Sequence, residues 1–438
     1  MRGWSRPTRW VPFVSLMAVI YLLMLLFAHF GDGISPLQML PQRTRLKSDY
    51  DYPHEGESAT VKKFTLILNS SLYDAMEIED VLTNDTIATF GERLHADVDY
   101  SAPPKLILSW DAGHGQENLG GCPDWNCVFT YDRSKADEAS IILTVSDNFE
   151  RRNSEQIVTF YSQESPKNMP VIMHQTEYFN VSLGYRHDTA GASPYGYTVK
   201  LAKRRPLEKI VNLSRLAGKS KSAAWFVSHC TTNSRREDLV VKMKKYISVD
   251  IYGNCLNGMN CPRGAKCEDM LDDDYHFYLA FENSVCTDYI TEKVWNQGYG
   301  RDIVPIVLKR SIVANRLPPN SYLAVDDFET LQELAERMSY LMKNKSAYSE
   351  MFHWRRDYAT IYLNGEQHDI LERPWGFCQL CRIAWEKPKT QRLISDFKEW
   401  WDGSCEVDGA TVSKIISKTD AREKEKEKAL RVNRITVK

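Results

Sequence analysis

Residues 276–295 read His276-Phe-Tyr-Leu-Ala-Phe281-Glu-Asn-Ser-Val-Cys286-Thr-Asp-Tyr-Ile-Thr291-Glu-Lys-Val-Trp295. A near-continuous apolar run ends at Phe281, and a polar loop opens with Glu282-Asn283-Ser284. A helix is expected to start near Thr287 or Asp288, either of which is a competent N-cap. Strand, polar loop and helix start form the repeating half-unit of an α/β sheet. Further apolar runs flank it at Ala224–Ser228, Ile247–Tyr252 and Ile303–Leu308. An earlier set comprises Phe64–Leu68, Lys105–Trp110, Ser140–Val145 and Gln156–Tyr161. Strands apolar on both faces, separated by helical or loop material, imply parallel sheets covered on both sides. Between Asp327 and Lys343, Phe328, Leu331, Leu334, Ala335, Met338, Leu341 and Met342 recur at helical spacing and mark a core-facing helix. The basic, polar stretch Lys200–Lys221, with Pro206 and Gly218, is the best boundary between the two strand sets. The expected fold class is α/β, with one domain over 61–210, a second over 222–375, and a C-terminal segment with a charged tail over 376–438. At 438 residues, 43% hydrophobic and with a net charge of −2, the chain has the composition of a globular protein of two or three domains. It carries no electrostatic footprint for nucleic acid.

The compartment follows from the N-terminus and the cysteines. Arg2, Arg6 and Arg9 precede an uncharged stretch from Trp10 to Gly31, about the 20 residues needed to cross a bilayer. An uncleaved signal-anchor transmembrane helix is expected over 10–31, with 1–9 as a cytosolic tail and the remainder across the membrane. A cleaved signal peptide is the rival reading, disfavoured by the length and by Phe30 at the exit. The Pro-bearing polar segment 32–60 reads as a flexible stem. The ten cysteines all lie beyond it, and an even count in an exported chain suggests disulfides. Cys378-Gln-Leu-Cys381 has the spacing of a zinc ligand pair, but Cys255, Cys261 and Cys267, six apart, do not supply a second close pair. The connectivity does not follow from sequence. N-glycosylation sequons at Asn69, Asn84, Asn180, Asn212 and Asn344 agree with a secretory route.

The familiar nucleotide and hydrolase signatures, such as G-x-x-x-x-G-K-[ST], H-E-x-x-H and G-x-S-x-G, are absent. Asp272-Asp273-Asp274 has the chemistry of a divalent-metal ligand, but it enters a strand, at the edge of the sheet away from ligands. It reads as a solvated acidic turn, and no residue is assigned to a metal. In the quoted stretch, the free N–H groups of a helix start favour phosphate and Lys293 adds a positive charge. Glu292 and Lys293, being adjacent, would address different parts of one ligand. A capped helix with surface charges explains the same residues equally well. Glu164 lies just past the strand Gln156–Tyr161, where catalytic groups collect, although a Pro-assisted turn also accounts for Gln163-Glu-Ser-Pro166. Arg235-Arg236, past the strand 224–228, either clamps a phosphate or opens a solvated helix.

Phe281-Glu-Asn-Ser with Asp288-Tyr-x-Thr-Glu-Lys293 resembles the signature of the α1,3-fucosyltransferases, which use GDP-fucose. Cys122-Pro-Asp-Trp-Asn-Cys127 with Thr130-x-Asp-Arg-Ser134, Glu164-Ser-Pro166, Phe179-Asn-x-Ser-x-x-Tyr185-Arg-x-Asp188 and Pro194-Tyr-Gly196 resemble the family's N-terminal pattern. Trp225-Phe-Val-Ser228 followed by Arg236, and Cys378-x-x-Cys381, resemble its C-terminal one. The likeness runs from about Lys105 to Cys381, and Val227-Ser-His-Cys230 and the cysteine-rich loop 255–267 are most similar to invertebrate members. The resemblance implies two facing Rossmann-like domains of the GT-B type, an acceptor-side N-terminal one and a C-terminal one holding GDP-fucose. It implies inverting transfer with Glu164 as the base. Arg236, Asn283, Tyr289, Glu292 and Lys293 would hold the donor. No cofactor is obligatory, and a divalent cation (Mn or Mg) would at most stimulate. The implied setting is a single-pass type II protein of the Golgi membrane acting on N-glycans of glycoproteins. One departure bears on the acceptor: Ser146-Asp-Asn-Phe149 replaces the His-His-Arg-type stretch of vertebrate members. The chitobiose core is the preferred acceptor. A Lewis-type or LacdiNAc antenna, and an inactive glycan-binding protein on the same scaffold, are the alternatives.

Overall fold

The computed structural model describes residues 64–66, 76–82, 88–262, 266–366, 368–386 and 393–436. The expected anchor, the stem and the sequons at Asn69 and Asn84 lie outside these residues. Among the described residues no helix is long and apolar enough to cross a membrane.

The strands are β1 (Phe64–Leu66), β2 (Met76–Val81), β3 (Lys105–Ser109), β4 (Cys127–Thr130), β5 (Ile141–Thr144), β6 (Ile157–Ser162), β7 (Val181–Gly184), β8 (Gly196–Leu201), β9 (Lys221–Phe226), β10 (Val249–Tyr252), β11 (Tyr275–Leu279), β12 (Val304–Val307), β13 (Leu323–Ala324) and β14 (Tyr358–Tyr362). The helices used below are α1 (Arg236–Met243), α2 (Leu331–Lys343), α3 (Gly376–Trp385), α4 (Phe397–Asp402) and α5 (Ala410–Thr436). Two five-stranded sheets are parallel throughout, in the orders β4-β3-β5-β6-β7 and β10-β9-β11-β12-β13. The α/β class with parallel sheets is therefore what the chain adopts. A third, antiparallel sheet, β1-β2-β8-β14, was not expected. It pairs β8 with β14 from the far end of the second strand set, Thr198 opposite Thr360.

In the first sheet the spacers between strands carry only short helical turns, such as 116–119 and 133–135. Its covering helices come from the C-terminal segment. Successive residues of a strand point to opposite faces, so Ile107, Ile141, Leu143 and Leu183 face one way and pack on Phe377, Leu380, Ile383 and Trp385 of α3. Leu108, Ile142, Val158 and Phe160 face the other way and meet Phe397 and Trp401 of α4. The disulfides Cys122–Cys378 and Cys127–Cys381 pin α3 in place. The close cysteine pair thus bonds outward rather than holding zinc. Cys230–Cys255, Cys261–Cys267 and Cys286–Cys405 complete the set.

In the second sheet Trp225, Ile251, Phe277, Leu279 and Ile306 pack against α1, α2 and the start of α5. Helix α2 begins at Leu331 rather than Asp327, because the Thr330 side chain accepts from Glu333 N and caps it there. The charged tail is helical. Val412 and Ile415 of α5 are buried, and Lys242 of α1 pairs with Asp420 (2.5 Å) and Glu423 (2.6 Å).

Candidate active site

The carboxyl ends of strands from both sheets meet at one cavity of about 260 Å³. Glu164 follows β6 of the first sheet. Val227–His229 follow β9, Gly253 follows β10 and Asn283 follows β11 of the second, and Arg236, Glu292 and Lys293 complete this part of the wall. Gly253 is required there: its φ is +107°, and a Cβ would lie 2.3 Å from the Val227 carbonyl oxygen.

The loop between Asn283 and Thr291 departs from expectation. No helix starts at Thr287 or Asp288; the next helical element is a six-residue π-helical turn, Lys293–Gly298. Asp288 adopts the left-handed conformation, φ 60°, which aspartate tolerates. Its carboxylate is paired with Arg316 at 3.1 Å and accepts from His187 N at 3.0 Å. Thr287 is turned toward the C-terminal segment, donating through N and Oγ1 to the Ser404 carbonyl, beside the Cys286–Cys405 bridge. Both side chains are thus committed to packing, and a six-residue turn supplies no helix dipole for a phosphate. Side-chain cations are what the site offers.

Those cations are already engaged. Lysine has three N–H donors, and those of Lys293 reach Thr291 Oγ1 (2.7 Å), Glu282 Oε2 (2.8 Å) and Glu292 Oε1 (3.5 Å). Glu292 and Lys293 therefore face each other, because they sit at the start of the turn and not within a regular helix. Glu282 Oε1 also accepts from Thr291 N and Oγ1, so this buried carboxylate is both paired and hydrogen-bonded. Arg236 is 3% exposed and donates to the carbonyls of Phe281 (2.6 Å) and His229 (3.0 Å), holding the two strand ends together. Arg235 points away, to Asp238 and Ser413.

Glu164 is solvent-exposed. Its Oε2 accepts from Tyr289 Oη (3.0 Å) and Asn168 Nδ2 (3.4 Å), while Oε1 receives no hydrogen bond among the described residues. Burial pushes the Tyr289 phenol well above its usual range, helped by the nearby Glu282, Tyr195 and Glu164. It therefore stays protonated and donates. Ser284 Oγ donates to Ser165 Oγ at 2.6 Å, a second bond between the segments that follow β6 and β11. The six residues singled out from the resemblance thus lie together. Glu164, Arg236, Asn283, Glu292 and Lys293 line the cavity, and Tyr289, outside that lining, donates a hydrogen bond to Glu164.

A second cavity of about 300 Å³ adjoins the first, with Glu292 in both walls. Tyr161, Tyr195, Trp375 and Phe377 give it aromatic faces, and Gln163, Asn118, His368 and Glu372 give it polar ones. The Glu372 carboxylate, 2.6 Å from His368 Nδ1, raises the pKa of that imidazole. Of this wall, Gln163, within Gln163-Glu-Ser-Pro166, Pro194 and Tyr195, within Pro194-Tyr-Gly196, and Glu292 were quoted from the sequence above. The remainder comes from segments far apart in the chain, with no local signal. The departing stretch after β5 is structural: Asp147, 7% exposed, accepts from His174 N and Gln175 N (2.9 Å) and ties down the loop that follows Glu164.

The acidic triplet lies at the entry of β11, as expected, but it is not wholly solvated. Asp272 accepts from Arg301 Nη1 (2.9 Å) and Asp302 N (2.6 Å), because it closes the loop before β12. Of the described sequons, Asn212 and Asn344 cap short helices through Oδ1, whereas Asn180 Oδ1 accepts from Arg151 and Val158 N.

With this geometry in place, comparison with known proteins is specific. The family model "Fucosyltransferase, N-terminal" matches residues 102–196, and "Glycosyltransferase family 10 (fucosyltransferase) C-term" matches 216–400. The α-(1,3)-fucosyltransferase fut-1 of Caenorhabditis elegans is 49% identical over 82% of this chain and 83% of its own length. Glycoprotein 3-α-L-fucosyltransferase A of Drosophila melanogaster is 33% identical over 67% of this chain and 58% of its own. A crystal structure of an α1,3-fucosyltransferase with GDP-fucose aligns with a TM-score of 0.44 and 17% identity, covering 69% of this chain and 97% of that one. The chain therefore belongs to glycosyltransferase family 10, the fucosyltransferases.

Proposed function

We propose that this chain is an α1,3-fucosyltransferase that moves L-fucose from GDP-fucose to a GlcNAc of protein-linked N-glycans, with the chitobiose core as its acceptor. The observation that carries the reading is the meeting of Glu164 with Arg236 and Lys293 around one cavity, next to an aromatic-walled cavity of sugar size. The two parallel sheets with strand ends converging on one cleft support the GT-B description. Glu164 Oε1 takes the proton of the acceptor hydroxyl, while Tyr289 and Asn168 hold Oε2. The hydroxyl attacks the anomeric carbon from the face opposite the diphosphate, so the β-linked donor gives an α-fucoside. GDP leaves as an anion and needs charge stabilisation rather than a proton. Arg236 and Lys293 provide it, with the long Lys293–Glu292 contact the one an incoming phosphate displaces. These groups make a metal dispensable, so Mn or Mg would act only as a stimulant. The acceptor sugar lies in the second cavity, where ring faces stack on its C–H face and Gln163, Asn118 and Glu292 meet its hydroxyls. The Drosophila relative's name specifies glycoprotein acceptors, in keeping with this assignment. The proposed setting is the Golgi lumen, on a type II anchor.

The test is mass spectrometry of products from a panel of defined N-glycans. Fucose on the innermost GlcNAc is expected. Fucose on antennal GlcNAc alone would replace the core assignment, and tight GDP binding with no transfer to any glycan would make the chain a binding protein.

A further inference from the structure

A cavity of about 800 Å³, larger than either of those in the cleft, shares no lining residue with them. It opens at the other end of β14: Tyr358 and Thr360 line it, whereas Tyr362 and Leu363 line the second cavity. The basic stretch Lys203-Arg-Arg-Pro-Leu-Glu-Lys209, so far only a boundary between strand sets, forms one rim. Pro206 leads into a short turn, Leu207–Lys209. Lys203, Arg205 and Lys209 reach the cavity, while Arg204 pairs with Asp357 at 3.0 Å. The Lys209 side chain makes no hydrogen bond or ion pair among the described residues. Glu77 is the single carboxylate of the lining. Its Oε1 lies 3.2 Å from Lys203 Nζ, and its Oε2 is buried with no hydrogen-bond partner among the described residues. An orphaned buried acceptor is costly unless a ligand brings a donor to it. The opposite wall is aromatic: Tyr299, Trp354 and Tyr358, with the first two ring centres 5.0 Å apart. Arg355 is fixed in the floor by Asp302 and the Arg301 carbonyl, each at 2.6 Å, so it holds the wall in place.

We propose that this cavity is a second sugar-binding site, separate from the catalytic cleft, that takes an acidic sugar carrying a carboxylate or sulfate. The inference stands apart from the fucosyl-transfer reading, since it uses none of those residues. Three features of the lining each ask for a different part of one ligand. The aromatic wall packs against the C–H face of a saturated ring, which meets the negative faces of the aromatic rings. Glu77 Oε2 can only accept, so it calls for a hydroxyl donor. Lys209, with Lys203 and Arg205 beside it, calls for an anion. A neutral sugar leaves the cations unused. Inorganic phosphate leaves the rings and Glu77 unused, and an acidic peptide brings charge without a hydroxylated ring. The volume is within the range of small-molecule sites.

NMR titration of the purified protein, with GDP added to fill the donor cavity, tests this. The probes are unsulfated chondroitin disaccharide (glucuronate linked to GalNAc), the methyl ester of its uronate, hexaglutamate and inorganic phosphate. The disaccharide is expected to bind about 10-fold or more tighter than its ester, the worth of one hydrogen bond to a charged group, and to weaken as salt is raised. Equal binding of acid and ester overturns the proposal, as does no binding of the disaccharide at about 10 mM. Hexaglutamate binding as tightly as the disaccharide makes this a peptide site, and phosphate doing so makes it a simple anion site; either result overturns the proposal. Both rim lysines are exposed, so the double variant Lys203→Ala, Lys209→Ala should keep the melting temperature of the parent while weakening the disaccharide about 10-fold or more. Unchanged affinity in that variant puts the sugar elsewhere and overturns the assignment.

Discussion

Two residues decide whether the site works as described. Tyr289 gives Glu164 a hydrogen bond from a phenol that burial keeps protonated. Tyr289→Phe removes that bond beside an exposed carboxylate that water re-solvates, so the fold is kept. The turnover number should fall about 10-fold, the worth of one hydrogen bond to a charged group, with donor affinity nearly unchanged in steady-state kinetics. Lys293 has two roles that its substitution separates. Lys293→Met should weaken GDP binding and strand Glu282, costing about 3–5 kcal/mol in urea unfolding. Adding Glu282→Gln should restore stability without restoring GDP affinity. Recovery of both would make Lys293 a purely structural cation. Which residues gather at this site was legible through the resemblance of 164–166 and 281–293 to a family pattern, whereas the polar residues after the apolar strand by themselves fitted a capped helix equally well. The partnerships were not legible: Tyr289 meets Glu164 across 125 residues, and Lys293 folds back onto Glu282 because the expected helix start became a loop tied to Arg316 and Ser404.

At the scale of elements, the strands were readable and their covers were not. β3, β5, β10 and β12 fall within an apolar run of the sequence, and β6, β9 and β11 overlap one, β9 starting three residues before its run. β4 (Cys-Val-Phe-Thr) and β7 (Val-Ser-Leu-Gly) were not singled out as strands. Helices α3 and α4 cover a sheet whose strands lie far earlier in the chain, and no periodicity reports a distant partner. Their role carries a prediction. Trp401 of α4 is 2% exposed and packs on Phe160 with ring centres 4.9 Å apart. Trp401→Ala should cost about 3–5 kcal/mol, seen as a lowered urea midpoint. A change under about 1 kcal/mol would mean that α4 is an accessory rather than part of the core.

The whole molecule is closed by its disulfides and tuned by its buried histidines. Cys122–Cys378 and Cys127–Cys381 span 256 and 254 residues. In the chain-entropy picture the first bridge is worth about 5 kcal/mol, and the second, closing only a small extra ring, about 2–3 kcal/mol. Removing either one by Cys→Ser should therefore cost less than half of what removing both costs, measured by thermal unfolding without reductant. His114, His187 and His276 have pKa values held below the ordinary range, in each case chiefly by burial. Unfolding lets them take up protons below about pH 6.5, so stability should fall as the pH drops through that value and continue falling until the lowered folded-state values are passed. His368 acts in the opposite sense: its stabilisation is complete below about pH 6.5 and is lost as the pH rises through its raised value. Three against one gives a melting temperature lower at about pH 5.5 than at about 7.5; the reverse order would contradict these buried neutral states. The central claim also belongs to the whole molecule, since in the proposed reading Glu164, which follows a strand of one sheet, is the base, and Arg236 and Lys293, beside the other sheet, face the donor. It is tested most directly by fucose transfer and GDP binding measured on one preparation of Glu164→Gln. The account predicts a turnover number lower by about 10²–10⁴-fold with GDP affinity unchanged, whereas a rate within a few-fold of the unsubstituted protein would contradict it.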